Sequence, residues 1–373
     1  MTTEQKDPGA LRALAGLVDS LGLRTPTAEQ AAIATAPPTV EVDGTGRPQP
    51  LLVVAGAGSG KTETLSLRAT FMAAHYGIPP ENILGLTFTR KAAGELEQRL
   101  RARLATWQEL ARPEQRHSLL AASPESSTYN GFALSIVQEF GAYVGIDPQV
   151  SHMGTAAAWQ LMSEIIGGWQ GELPPESAES TLVGKTLSLR DAIANQAMSL
   201  DETERGLHRL LERFEEAKAE AGDKAPYIKF HRAGEARVRE RLLLLPVIEV
   251  FEQAKRAQGA MDFSDQVSAA IKVVEGNEEA RRVLRERHQV VFLDEFQDTS
   301  VAQMRLLSSL FADHPVTAVG DPNQAIYGWR GASAASLDDF HARFNKNPDV
   351  PDLTLSLSTA WRNDRLILDV ANK

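Results

Sequence analysis

Apolar residues fall into two kinds of run along this chain. Short, mostly apolar runs, bounded by glycine, proline or charge, occur at Leu51–Val54, Ile83–Phe88, Val290–Leu293 and Pro315–Val319, and a last strand is expected at the alternating Leu353–Leu357. Runs of that length without alternation predict strands buried on both faces, as in a parallel sheet. Elsewhere apolar positions recur every three or four residues, which predicts helices. Leu11, Leu14, Leu17, Val18 and Leu21 mark a helix over 8–24, and Thr27 caps a second helix that carries Gln30 one turn in. Two more are expected over 62–76, closed near Gly77 and Pro79-Pro80, and from Lys91 to about Thr106. Residues 37–50 are dense in proline and glycine around Asp43-Gly44, so they read as a hairpin or loop. A polar, proline-punctuated stretch over 107–126 gives way to a short strand and a helix from Ser127 to Phe140.

From 143 to 258 the strand pattern disappears. Trp159, Leu161, Ile165 and Ile166, then Leu207, Leu210, Leu211 and Phe214, keep helical spacing, broken by Gly167-Gly168 and Pro174-Pro175. Strands alternating with helices on either side of this stretch predict an α/β fold, a parallel sheet with helices on both faces, interrupted by an inserted all-helical domain.

Composition narrows the classes. A chain of 373 residues, 43% apolar and 24% charged, is globular and long enough for two or three cores. It has no cysteine, which excludes disulfides and thiolate metal sites. No run has the length of a membrane span, and MTTEQKDPGA lacks the layout of a secretion signal, so a cytoplasmic protein with no membrane partner is expected. The net charge of −10 argues against gripping nucleic acid by overall positive charge, so any such grip must be local. One basic island joins Lys224, Lys229, Arg232, Arg237, Arg239 and Arg241 with Tyr227 and Phe230. A polyanion grip and a solvated helix face explain it equally well.

The chemistry centres on one turn. After the first strand the chain reads Ala55, Gly56, Ala57, Gly58, Ser59, Gly60, Lys61, Thr62. Glycines at such a strand-to-helix turn let backbone N–H groups point inward at a phosphate chain, and the helix N-terminus adds a field that favours anions. A lysine there reaches the β- and γ-phosphates, and the threonine hydroxyl ligates Mg²⁺. The strict phosphate-loop pattern has glycine where Ala55 stands. A second triplet, Gly184-Lys185-Thr186, has neither glycine turn nor strand before it and reads as chance.

Asp294 and Glu295 follow the strand Val290–Leu293 directly. Two carboxylates at the end of a buried strand require a nearby cation, which a nucleotide-bound Mg²⁺ supplies. Asp294 is expected to hold that metal through its water shell, and Glu295 to orient and deprotonate the attacking water. Farther on, Gln324 sits where a strand-end loop reaches a terminal phosphate, with Tyr327 and Trp329 on the same loop as either hydrophobic plugs or stacking rings. Gln30, from its residue type alone, is an ordinary surface glutamine.

Taken together and in order, these stretches resemble the N-terminal motor half of a superfamily-one DNA helicase of the UvrD/Rep/PcrA type. AGAGSGKT, LTFTRKAAGEL, STYNGFA, VVFLDEFQDTS, AVGDPNQAIYGWRGA and LSTAWRND carry the likeness. That family's phosphate loop begins with alanine, so Ala55 supports the match. Departures are Arg90 where asparagine is frequent, Asn130 where histidine is usual, and Trp361 where tyrosine or phenylalanine is commoner. The Trp361-Arg362-Asn363 variant is similar to actinobacterial helicase-nuclease subunits.

The resemblance implies a RecA-like P-loop NTPase whose ATP-binding domain takes up 1–142 and 259–354 around an insert at 143–258, with 355–373 opening a second core domain. It implies ATP and Mg²⁺ held by residues 55–62 together with Glu63, Gln30 on the adenine edge, Trp361 on the adenine face, and Arg362 on the γ-phosphate. It also implies that Gln324 senses that phosphate, and that Phe88, Arg90, Lys91, Asn130, Tyr327, Trp329 and Arg330 track single-stranded DNA near duplex junctions. The expected activity is bacterial, 3′-to-5′ and in repair or recombination, with repair or helicase-nuclease subunits as partners. The chain is expected to be a fragment, weak or inactive alone. A non-motor P-loop enzyme and a DNA-binding subunit of a helicase-nuclease complex remain as alternatives.

Overall fold

The structure is a computed structural model that describes residues 8–110, 123–175, 178–221, 225–326, 328, 336–361 and 370. It divides into two units, Met1–Ser135 with Val273–Lys373, and Ile136–Lys272.

The chain begins with α1 (Pro8–Ser20) and α2 (Ala28–Thr35). The helix expected over 8–24 stops at Ser20 because Gly22, at φ 61°, turns the chain in the left-handed region. Thr27 and Gln30 cap α2 reciprocally: each side chain accepts from the other's backbone N–H. The proline- and glycine-dense stretch is a hairpin in which β1 (Thr39–Val42) pairs antiparallel with β2 (Thr45–Pro48). Asp43 and Gly44, with φ of 49° and 74°, form its two-residue turn. Next come β3 (Leu51–Ala55), α3 (Lys61–Tyr76), β4 (Ile83–Thr87), α4 (Arg90–Leu110), β5 (Glu125–Thr128) and α5 (Tyr129–Phe140).

The second unit contains β6 (Ser151–His152), α6 (Thr155–Gly167), α7 (Glu179–Asn195), α8 (Leu200–Ala221), α9 (Ala225–Ala257), β7 (Ala260–Met261) and the start of α10 (Phe263–Gly276). Its core joins Met162, Val183, Val247 and Phe251. Among the described residues, helical spacing did not announce the parallel pair β6–β7, whose two-residue strands are too short to show a period. Arg190 and Lys255 are buried here against Glu252, Asp262 and Asp265 at 2.6–3.2 Å. Opposite charges that satisfy one another in this way can be taken out of water together. Lys185 of the chance triplet lies within α7 and pairs with Glu240. In the basic island Lys224 lies outside the described residues, as do the side chains of Tyr227 and Lys229; Arg239 pairs with Glu235, while Arg232, Arg237 and Arg241 are exposed.

The first unit resumes with α11 (Glu278–Arg287), β8 (Val290–Leu293), α12 (Val301–Phe311), β9 (Val316–Gly320), α13 (Phe340–Phe344) and β10 (Leu353–Leu357). Six strands form one sheet in the order β10-β3-β9-β8-β4-β5, with every neighbouring pair parallel. Although β4 follows β3 in sequence, β9 and β8 lie between them. That crossover brings the carboxyl ends of β3, β9 and β8 side by side, and open α/β sheets place their ligands outside such ends.

Alternate residues serve opposite faces of the sheet. Leu51, Val53, Val290 and Phe292 pack with Leu65, Phe71, Met72, Leu96 and Leu100 of α3 and α4 in one cluster that also takes Leu14 and Ile33. Leu52, Val291 and Leu293 are equally buried outside that cluster, as are Phe311, Phe340 and Phe344. Burial on both faces explains why β3 and β8 read as continuous apolar runs, whereas the edge strand β10, half-exposed, alternates leucine with threonine and serine. The mixed α/β architecture with a parallel sheet and flanking helices is thus the expected one.

Arg68 of α3 is wholly buried, and its guanidinium donates to uncharged acceptors: Ile33 O at 2.7 Å, Ala36 O at 2.6 Å and Thr317 Oγ1 at 2.9 Å. Burial pushes its pKa down to about 10. The two carbonyls belong to the C-terminal end of α2, where the helix dipole favours a cation. Arg68 therefore fastens the helix that carries Gln30 to strand β9.

Candidate nucleotide site

Gly60 caps α3 in the left-handed conformation, φ 85°, with no side-chain hydrogen bond to the helix start. The first N–H groups of any helix lack partners within it, so this terminus presents free donors and positive potential. A Cβ on Gly60 would come within 3.2 Å of Gln30 Nε2 and 3.9 Å of Trp361 Cδ1, so the three residues meet at the loop. The backbone N–H of Trp361 donates to Gly58 O at 2.9 Å, which brings the chain beyond β10 onto the loop, and the indole remains 63% exposed.

A cavity of about 490 Å³ opens there, lined by Ala57, Gly58, Gly60, Lys61, Thr62, Glu63, Arg99, Glu295, Gln324 and Trp361. Residues from five separate stretches of sequence thus share one wall. The second unit has a cavity of about 520 Å³ lined by Arg190, Glu252, Lys255 and Asp265. Those charges are already mutually paired.

Lys61 Nζ lies 3.1 Å from Glu295 Oε2. Glu295 adopts φ 50° and ψ 43°, a left-handed conformation unusual for a residue with a side chain, and such strain persists only where surroundings enforce it. Asp294 is 6% exposed and accepts from the Glu295 N–H at 3.0 Å. Burial, and then the charge of Glu295, push Asp294 up to about 6, with Lys61 opposing. Tyr129 donates its hydroxyl to Asp294 O at 2.9 Å, and burial raises its own pKa well above the usual phenol value.

The other expected residues divide three ways. Glu63 is exposed and held by Arg99 and Arg103 of α4, a pair on one helix face. Gln324 lines the cavity and donates to Asp321 Oδ2. Ser59 is buried in the loop, and its Oγ has no hydrogen-bond partner, while Ala55 ends β3 inside the core and Gly56 is exposed. Away from the cavity, Phe88 is half-buried, Arg90 and Lys91 are exposed at the start of α4 with Lys91 near Glu95, and Asn130 accepts from Gln303 Nε2 at 2.9 Å. Tyr327, Trp329, Arg330 and Arg362 lie outside the described residues.

The donor set suits a phosphate chain with a hard cation. The hydroxyl of Thr62 and the carboxylate of Asp294 are oxygen ligands of the kind Mg²⁺ takes, and Ser59 leaves a buried hydroxyl to be satisfied. Several residues of the site carried no assigned role in the sequence reading. Arg99, Gln297, Asp298 and Asp321 are among them. For Arg99 and Arg103 the four-residue spacing was a visible signal; the roles of the others depend on contacts no local pattern reveals.

The UvrD/REP helicase N-terminal domain family matches residues 45–345. The chain belongs to that family. DNA helicase IV of Escherichia coli is 30% identical over 336 residues, covering 87% of this chain and 44% of that protein. ATP-dependent DNA helicase PcrA of Staphylococcus epidermidis is 27% identical over 328 residues, covering 87% and 37%. Its Staphylococcus aureus counterpart is 26% identical over 329 residues with the same coverage. The chain spans less than half the length of these relatives. Among the described residues of this UvrD/REP domain, no helix is long and apolar enough to cross a membrane.

Proposed function

We propose that this chain is the nucleotide-binding part of an ATP-dependent DNA helicase or translocase. The observation that carries the reading is the convergence of the glycine turn, Lys61 and Glu295 on one cavity with Asp294 beside it. Backbone N–H groups of residues 57–62 cradle the phosphates of ATP, Lys61 binds the β- and γ-phosphates, and Gln324 faces the terminal one. Thr62 and Asp294 are the residues that would hold Mg²⁺, which when bound neutralises charge developing on the phosphates. Glu295 orients water and takes its proton. Gln30 contacts the adenine edge and Trp361 its face, with Arg362 completing the γ-phosphate contacts.

Phe88, Tyr327 and Trp329 provide a stacking path for single-stranded bases, each stack contributing about 1–3 kcal/mol. Arg90, Lys91, Asn130 and Arg330 border that path, so a strand is held locally by a protein with net charge −10. Movement in the 3′-to-5′ direction, service in bacterial DNA repair or recombination, and engagement of duplex junctions or partner subunits belong to the same reading. The motor core consists of 1–142 and 259–354, the insert of 143–258, and residues 355–373 lead toward a second core domain. Further arginines from such a domain would contribute about 10³–10⁵ in rate in phosphoryl transfer.

The test is stimulation of ATP hydrolysis by single-stranded DNA in the full-length protein. Stimulation that Lys61→Ala removes supports a motor. Hydrolysis indifferent to DNA contradicts it and favours a non-motor nucleotide enzyme.

A further inference from the structure

Gln297 is 3% exposed and lies outside the wall of the nucleotide cavity, yet it touches what the cavity uses. Its Nε2 donates to Glu295 Oε2 at 2.8 Å, the same oxygen that faces Lys61 Nζ at 3.1 Å. Its Oε1 accepts the backbone N–H of Asp321 at 3.1 Å. Asp321 in turn accepts from the N–H of Asn323 at 2.9 Å and from the Gln324 side chain. The next residue along, Asp298, is buried, takes a weaker 3.4 Å contact from Gln297 Nε2 and accepts the backbone N–H of Ile326. The pair Gln297-Asp298 therefore holds both ends of the segment 321–326.

The seat is built for this side chain. A Cβ on Gly320 would fall 2.8 Å from Gln297 Oε1 and 3.2 Å from its backbone N, so β9 has to end in glycine where the amide crosses it. An amide is also the side chain the position demands. It donates to a carboxylate on one side and accepts from an N–H on the other, which neither a carboxylate nor an alkyl group can do.

We propose that Gln297 is a positioning residue that couples occupancy of the nucleotide cavity to segment 321–326, an inference that rests on the nucleotide reading above. Glu295 Oε2 is shared between Lys61 and Gln297. A phosphate that draws Lys61 away leaves Gln297 as the donor holding Glu295, so the carboxylate and segment 321–326 become set by one another. Coupling of this kind is reciprocal, and a change in the segment returns to Glu295 by the same amide. Gln324 reports on the cavity from its own end of the segment, and Gln297 provides a second link beneath it.

Hydrogen exchange at the amides of 321–326 in the 373-residue chain tests this, with and without a non-hydrolysable ATP analogue and Mg²⁺. Gln297→Glu keeps an acceptor for the Asp321 N–H and removes the donor to Glu295; Gln297→Leu removes both. In the unaltered protein the analogue is expected to change exchange of the segment about fivefold or more. Gln297→Glu should keep the analogue-free protection and lose that response, read at analogue concentrations that a binding titration shows to saturate each protein. Gln297→Leu should lose protection at Asp321 even without the analogue; where it fails to fold, Gln297→Glu decides alone. A full response in Gln297→Glu, or no response in unaltered protein that binds the analogue, overturns the coupling. Failure of the unaltered protein to bind the analogue at all overturns the nucleotide reading first, and the coupling with it.

Discussion

Lys61 Nζ and Glu295 Oε2 meet at 3.1 Å although 234 positions separate them in sequence. Lys61 is 12% and Glu295 34% exposed at the side chain, so the pair is partly shielded and its charges act more strongly than on open surface. It places a cation and a carboxylate in contact on the wall of the cavity a terminal phosphate would enter. Glu295→Gln keeps the shape and removes the base. Hydrolysis by the full-length protein is expected to fall about 10²–10⁴-fold, the usual size of general-base catalysis, while nucleotide binding persists. Single-turnover hydrolysis and a binding titration on the same variant check both halves, and unchanged turnover removes Glu295 from its role.

Asp294 is costly in the protein as it stands. With its pKa raised to about 6, the folded chain binds a proton there that the unfolded chain, near 4, has released. Stability from this group therefore declines as pH rises from about 4 to about 6, and beyond that the buried charge is a penalty on the order of 3 kcal/mol. Asp294→Asn is expected to raise the thermal unfolding midpoint at pH 8 and to flatten its pH dependence across that window. The same substitution should abolish the tightening of nucleotide binding by Mg²⁺. Calorimetry at a series of pH values reads the first effect, and a lower midpoint at pH 8 would contradict it.

Trp361 and Gln30 converge on Gly60 from opposite ends of the chain. An exposed indole tethered to the loop through its backbone is placed to stack on a base, so Trp361→Ala should weaken nucleotide binding about 5- to 150-fold, the equivalent of 1–3 kcal/mol. Gln30→Ala should instead reduce the preference for adenine over guanine nucleotides. Competition titrations with ADP and GDP separate the two effects; equal losses for both bases in Gln30→Ala would take away its part in reading the edge.

Arg68 makes a stability prediction independent of nucleotide. Replacing it by methionine preserves bulk but strands the carbonyls of Ile33 and Ala36 and the hydroxyl of Thr317. Each buried acceptor left without a donor costs about 1–3 kcal/mol, so a loss of roughly 3 kcal/mol or more is expected in urea unfolding. A neutral result would mean that α2 is held by its apolar face alone.

Much of this site was legible because its chemistry is local. The run Leu51–Val54 followed by glycines, Lys61 and Thr62, and the run Val290–Leu293 followed by Asp294 and Glu295, state strand, turn and charge within a dozen residues each. The Thr27–Gln30 cap and the Asp43-Gly44 turn were legible for the same reason. The remainder depends on contacts between distant positions. Nothing near Arg68 announces that it closes on α2 and β9, and nothing near Gln297 announces Asp321. The left-handed backbone at Glu295 falls on a residue type that rarely adopts it, so no residue preference points there. Strand order was hidden as well, since β8 and β9 enter between β3 and β4 from beyond an insert of more than a hundred residues.

The central claim is that a nucleotide's phosphates lie between the glycine turn and the acidic end of β8. Titration of a fluorescent ATP analogue with Mg²⁺ into the chain and into its Lys61→Ala variant tests this most directly. Losing the lysine should weaken binding about tenfold or more, since a charge-assisted contact to phosphate is worth at least 1.4 kcal/mol. Equal affinity in the two proteins would place the phosphates elsewhere and contradict the account.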